Sequence, residues 1–429
     1  MTRHLPALLL LALAACSKSN SNGGTGPGPT GSLDITISAP AGVSAKVNVI
    51  TPADSIITVS SSGTLHGLTP GDYVIRASAG VTADPIVSTA YAPAVTGSPA
   101  TVAAGQTANA TVTYSAPRAS SGILWVANAI ANNISGFSSA NLGATGAPVP
   151  AVKIGSGTSG SVVQGSVSIA VDSSGGIWYV NNSDTLKYYS ASQITANTNA
   201  APARKLVSTA IQYAIAVAFD ASGDLWVADQ ANAKLFEFTP SQLQAGGTQS
   251  PAVTIHSIIG SLKRPWSLAF DAKGDLWVDS YGDSTIVGFS PAQLATSGGP
   301  VPYAAISGSQ GTTDCLGIAF DAQGDLWVAT LSDTIAKFTP DALTAIGTPT
   351  PSVILKMPGG TSPIAIAFDN SGSLWVAAYV GDKLLKFTSS QLTATGSPTP
   401  TTIISNTGGS LQVPQGLAFS PPAQGLPIP

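Results

Sequence analysis

Five aspartates recur at one place in a repeated phrase: Asp172, Asp220, Asp271, Asp321 and Asp369. Carboxylates gathered into a ring could hold a hard cation such as Ca2+ through their oxygens. Each of them, however, opens an Asp-x-x-Gly turn, where such a side chain caps its own backbone, so a structural role is expected. Asp224, Asp275 and Asp325, just after the turn glycine, are expected to be solvated. Little else offers chemistry. The chain has three histidines and a single glutamate. His256 falls in a predicted outermost strand and Glu237 in a predicted third strand, so no central general base or glutamate metal ligand is available. His66 stands alone and reads as a surface residue. Cys315 lies just ahead of an apolar strand and reads as a buried, inert thiol. No catalytic residue and no metal ligand is assigned.

Positions that break the repeat are better candidates, because the fold alone does not demand them. In loops entering the inner strands these are Tyr213, Lys263, Arg264, Trp266, Asp314 and Gln415, and between second and third strands Asp229, Asp279, Tyr281 and Tyr379. Seven of them, Tyr213, Arg264, Trp266, Asp279, Tyr281, Asp314 and Tyr379, are taken as candidate ligand-binding residues. Arg264 and Trp266, with Asp279 and Tyr281 of the same repeat, make a polar and aromatic patch suited to a small ligand, peptide or glycan.

The elements that must position these residues follow from six tryptophans, Trp125, Trp178, Trp226, Trp277, Trp327 and Trp375, spaced 53, 48, 51, 50 and 48 apart. Around them the text repeats as V-A-F-D-A-S-G-D-L-W-V-A (217–228), L-A-F-D-A-K-G-D-L-W-V-D (268–279) and I-A-F-D-A-Q-G-D-L-W-V-A (318–329). A period near fifty residues signals a propeller or solenoid. Two short apolar runs flank the turn, in which Gly223, Gly274, Gly324 or Gly372 can take positive φ. A third strand, a Ser/Thr-Pro-x-x-Leu helical turn and a fourth apolar stretch complete a four-stranded unit. The tryptophans read as core between units.

The first copy lacks an Ala-Phe-Asp strand, and the orphan G-L-A-F at 416–419 lacks a Leu-Trp partner. The C-terminal strand is therefore expected to serve as the innermost strand of the first unit, leaving no open edge. Ser420 stands where other copies carry Asp, because no hairpin follows it.

Residues 122–420 resemble the NHL-type six-bladed β-propeller superfamily, whose blades read G-I-A-V-D-x-x-G-N-L-Y-V-A-D, with Trp here for Tyr. The resemblance implies an all-β fold and kinship with both binding scaffolds and streptogramin lyase-like or gluconolactonase-like enzymes. Those enzymes use histidine pairs, or Glu, Asn and Asp around a divalent metal, and this chain has no matching set. Fold alone does not choose among such functions.

Short alternating strands over 33–116 read as a small β-sandwich. L-T-P-G-D-Y-V-I (68–75) and A-A-G-Q-T (103–107) resemble signatures of immunoglobulin-like and prealbumin-like domains of bacterial surface proteins. At the N-terminus, residues 1–4 are basic, 5–12 are apolar but too short to span a bilayer, and L-A-A-C (13–16) resembles a bacterial lipobox. The resemblance implies acylation at Cys16 and, with Ser17 next, forwarding to the outer membrane. Residues 17–32, rich in Ser, Asn, Gly and Pro, read as a flexible tether, and 421–429 as a tail. With Cys16 lipidated, Cys315 has no disulfide partner.

Of all residues, 44% are hydrophobic and 9% charged, and the net charge is −4 without a basic cluster. Nucleic acid is disfavoured as a partner. The chain is expected to be a monomeric, lipid-anchored envelope protein presenting a non-catalytic propeller to a protein, glycan or small ligand, without a cofactor. The alternative is a divergent lyase or lactonase-like hydrolase holding Ca2+ at its channel.

Overall fold

The computed structural model describes residues 29–40, 43–53, 55–82, 90–118, 122–156, 163–256, 262–308 and 311–420. Cys16, most of the expected tether and the tail lie outside the described residues. The described chain is all-β, with helical turns of at most six residues.

In the N-terminal region eight strands pair in one network, in which Gly31–Ser38 runs parallel to Thr107–Arg118 and antiparallel to Gly63–Leu68. Alternation puts Leu33, Ile35, Val47, Val49, Ile75 and Val112 into one apolar core. The Tyr73 hydroxyl donates to the Thr69 carbonyl at 2.9 Å, tying the Pro-Gly turn to that core.

Six sheets of four or five strands follow, giving the rest of the chain a β-propeller-like fold. The second to sixth sheets open with Ser168–Val171, Ala214–Phe219, Pro265–Phe270, Cys315–Phe320 and Pro363–Phe368, and each continues antiparallel through the Trp strand. In the first sheet Pro414–Ser420 occupies the inner place, antiparallel to Ile123–Asn128. Each inner strand touches the next, and Pro414–Ser420 also touches Ser168–Val171. Side chains 128 and 133 reinforce this junction: Asn128 Nδ2 donates to the Ser410 carbonyl at 3.1 Å and Asn133 Nδ2 to that of Gly409 at 2.9 Å.

The Trp side chains are buried between sheets. Trp226, Trp277 and Trp327 meet Phe270, Phe320 and Phe368 of the following inner strand edge-on, with centroids 6.5, 6.2 and 5.9 Å apart. Inner strands approach so closely that a Cβ at Gly317 would stand 2.6 Å from the Ile364 carbonyl. Small side chains at this level are thus a condition of closeness, not a sign of function.

The turn aspartates are fully engaged. Asp321 Oδ1 accepts from Gln323 N and Asp325 N at 2.9 and 3.0 Å, and its Oδ2 accepts from Trp327 Nε1 at 2.8 Å. Asp271 and Asp369 repeat the arrangement with Trp277 and Trp375. The indole bond adds to the expected capping of the hairpin a tie from the turn to the Trp strand. That bond is not made in every repeat: Trp125 Nε1, where Ser420 stands in place of Asp, and Trp226 Nε1, in the repeat of Asp220, are both buried without a hydrogen-bond partner. Asp275 and Asp325 are also buried rather than solvated; Asp275 Oδ2 accepts from the Tyr303 hydroxyl at 2.7 Å, and Asp325 pairs with Lys337 Nζ at 2.8 Å.

Candidate functional site

The end of the sheets opposite the Asp turns carries the irregular residues. There the pairing register of the inner strands shifts, between Pro265 and Ser267 and at the equivalent places in four other sheets. A bulge re-aims the side chain it carries. The bulged residues Ile215, Trp266, Leu316, Ile364 and Gln415 all line the axial cavity, which measures about 100 Å³ at this mouth. Four of the five are apolar, and Trp266 is the largest.

The residue before each inner strand adopts positive φ at Arg264 (49°), Asp314 (54°), Ser362 (43°) and Val413 (52°). Four non-glycine residues in the left-handed region are costly unless the surroundings hold them. Here side chains of the preceding sheet do so: Asp333 accepts from Ser362 N at 2.6 Å, Asp382 from Val413 N at 2.8 Å, and Ser284 Oγ from Asp314 N at 3.3 Å. The geometry recurs, so the strain at Arg264 belongs to the repeat.

What does not recur is the side-chain cluster at the fourth sheet. The Arg264 guanidinium lies over the Tyr281 ring at 5.1 Å, and that ring lies 5.8 Å from Trp266. Lys263 Nζ stands 3.9 Å from Asp283 beside them. An exposed guanidinium, a half-buried phenol and a half-buried indole at a cavity mouth form a stacking surface with hydrogen-bond donors on its rim.

The remaining candidates divide. Tyr213 is half-buried against the core of the second and third sheets, while Asp314 and Tyr379 are exposed in loops at the same end, within their own repeats. Asp279 is not a surface ligand. It is 0% exposed, and its Oδ1 accepts from the Cys315 thiol at 2.7 Å, because strand Leu276–Ser280 turns that side chain toward the fifth sheet. Burial pushes its pKa well above the ordinary carboxylate range, and Oδ2 has no hydrogen-bond partner. Burial likewise pushes the Cys315 thiol up, with Asp279 adding to the shift, so the thiolate is disfavoured. Asp229 is also buried, accepting from the backbone of Gln212, Tyr213 and Ala231.

Sequence reasoning missed the apolar rim. Ile130, Leu331 and Val380 are exposed at 64%, 36% and 49%, and with Tyr379 they sit in second-to-third-strand loops of the first, fifth and sixth sheets. Their signal was present, as a large apolar residue in each of three loops otherwise built of small and polar types. His256 and Glu237 fall in the fourth and third strands of their sheet, and His256 is exposed. The axial lining offers apolar side chains, Ser168, Ser267 and Gln415, but no carboxylate or imidazole among the described residues. No group of three potential metal ligands occurs among the described residues.

No family model matches the chain, and no curated protein matches it. Among solved structures it is similar to virginiamycin B lyase from Staphylococcus aureus, with 15% identity over 63% of this chain and 79% of that one and a TM-score of 0.43. A streptogramin B lyase is similar at 15% identity, covering 63% and 77%, with a TM-score of 0.41. A protein of unknown function from Bacteroides caccae is similar at 13% identity, covering 70% and 99%, with a TM-score of 0.48. These likenesses concern the fold alone.

Proposed function

We propose that this is a lipid-anchored cell-envelope protein with a non-catalytic binding role. Its propeller has six blades and is closed by Pro414–Ser420, and an immunoglobulin-like or prealbumin-like β-sandwich carries it above an anchor at Cys16. The observation that carries the reading is the Arg264, Tyr281 and Trp266 stack at one mouth of an axis lined without acid or imidazole. The stack sits within a face whose loops expose Ile130, Leu331, Tyr379 and Val380. Aromatic and guanidinium anchors surrounded by apolar contacts suit recognition more than bond breaking. A ligand for this face offers a flat or apolar surface to the rings and an acceptor or carboxylate to Arg264, as glycans and peptides do.

The test is thermal melting of the full chain against a panel of glycans, acidic peptides and lactones, each with Ca2+ and with chelator. A ligand that binds the native state raises the melting temperature. A shift that disappears in Arg264→Ala and is indifferent to chelator supports the reading. A Ca2+-dependent shift accompanied by turnover of a lactone overturns it in favour of a metal-dependent hydrolase or lyase.

A further inference from the structure

At the turn end, the fifth and sixth sheets each carry a cation beside their acids. Lys337 Nζ is 2.8 Å from Asp325 and 5.6 Å from the Trp327 ring centre; Lys386 Nζ is 3.0 Å from Asp369 and 5.3 Å from that of Trp375. The register places these lysines opposite the Trp of the neighbouring strand. The same place is filled by Glu237 opposite Trp226 and by Gly288 opposite Trp277. The third and fourth sheets therefore keep the acids Asp220, Asp224, Asp271 and Asp275 but lack the lysine.

The electrostatic result is visible in the third sheet. Burial, then Asp224 and Asp220, push the Glu237 carboxyl up to about 7, and burial and Asp220 push Asp224 up to about 6. Uncompensated carboxylates raise one another in this way.

A cation does arrive there from another part of the chain. Arg76 belongs to Gly71–Thr82 of the N-terminal region, and its guanidinium packs against the turn of the fourth sheet, where a Cβ on Gly274 would collide with it. Burial lowers its pKa, and the charges of Asp220, Asp271 and Asp275 oppose that shift. Its Nε and Nη1 are buried without hydrogen-bond partners. A second observation places the same region at the same end. Lys46, Asn48 and Thr58 face Lys273, Tyr303 and Gln323 across a cleft of about 620 Å³.

We infer that Arg76 is a docking residue. It supplies from outside the cation that no residue opposite the Trp of the third and fourth sheets provides, and so seats the N-terminal region on the turn end of the ring. The partner surface carries the acids of these two sheets, whereas in the fifth and sixth sheets Lys337 and Lys386 already occupy the equivalent place. Seated in this way, the N-terminal region leaves the Arg264 end uncovered and directed away from it.

The test measures the distance between nitroxides on cysteines replacing Ser61 and Ala140, both exposed, in the full chain with Cys16→Ser. Cys315 is buried and stays unlabelled. The expected result is one narrow distribution, retained in Arg76→Lys and lost to a broad one in Arg76→Glu. Glu237→Lys supplies the missing lysine without touching the N-terminal region, and it too is expected to lose the narrow peak by neutralising the field that Arg76 enters. This second variant decides the matter should Arg76→Glu fail to fold. A broad distribution in the unaltered background overturns the inference, as does a narrow peak retained in either charge variant.

Discussion

Strand Pro265–Phe270 begins beside Arg264 and ends on Asp271, about 20 Å away at roughly 3.3 Å per residue. At the Asp271 end the side chain accepts two backbone N–H groups and an indole N–H, and the same bonds recur in the fifth and sixth sheets. At the Arg264 end the backbone recurs but the side chains do not. The shared turn bonds at one end, and the varied side chains over a common backbone at the other, separate what the sheets require from what they are free to use. The difference also assigns the acids: those at the turn end hold the fold, and Asp279, at the irregular end by sequence, is nonetheless buried.

The largest effect is expected where the first sheet loses its inner strand. Removing residues 411–429 takes away the inner strand of the first sheet and the Gln412 N–H that donates to Asn128 Oδ1, and should cost about 5 kcal/mol or more, with loss of cooperative melting. An unchanged melting profile would show that strand to be dispensable. Next comes Trp327→Ala, which empties a fully buried site between sheets and should cost about 3–5 kcal/mol in denaturant titration.

Asp321→Ala removes one carboxylate that accepts three hydrogen bonds, leaving Trp327 Nε1 and two backbone donors without their acceptor. A loss of about 2–3 kcal/mol is expected, and a neutral result would reduce the turn Asp to ornament.

Asp279→Asn is expected to act through pH. The pKa of Asp279 is raised in the fold, so the folded chain binds its proton more tightly than the unfolded one. That contribution is fully present below the unfolded value near 3.9 and is lost as pH rises through the folded value. The variant should therefore flatten the decline of stability with rising pH and exceed the natural chain by on the order of 1 kcal/mol at pH 8. Equal stability at every pH would mean the carboxyl is not desolvated.

Smallest in stability is Arg264→Ala, within about 0.5 kcal/mol, because its side chain is exposed and bears on Tyr281 alone among the described contacts. A larger loss would move Arg264 from the recognition surface into the structural account.

The all-β class and the repeating unit were legible because a hairpin with a fixed turn, a Trp strand and a capped helical turn each leave local marks. Thr239 and Gln242 show how local these are: both bonds of the capping box form, and Gln242 Nε2 also reaches the Ser250 carbonyl at 2.7 Å. The candidate site was legible only in part. Arg264, Trp266 and Tyr281 could be grouped because they fall in one repeat, whereas the fate of Asp279 depended on Cys315 of the next sheet. Arg76 was invisible for the same reason, since its partners are more than 140 residues away and nothing in its own neighbourhood marks it.

Strand Ile123–Asn128, where the chain enters the ring, is not at the edge of its sheet. It pairs over five residues with Asn133–Phe137 on one side and over six with Pro414–Ser420 on the other. A pull along the chain from an N-terminal anchor would load this strand in shear, and both ladders would have to rupture together before it could slide. Force applied from the N-terminal side would thus fall on the best-clamped strand of the first sheet, where an edge strand would peel away one bond at a time.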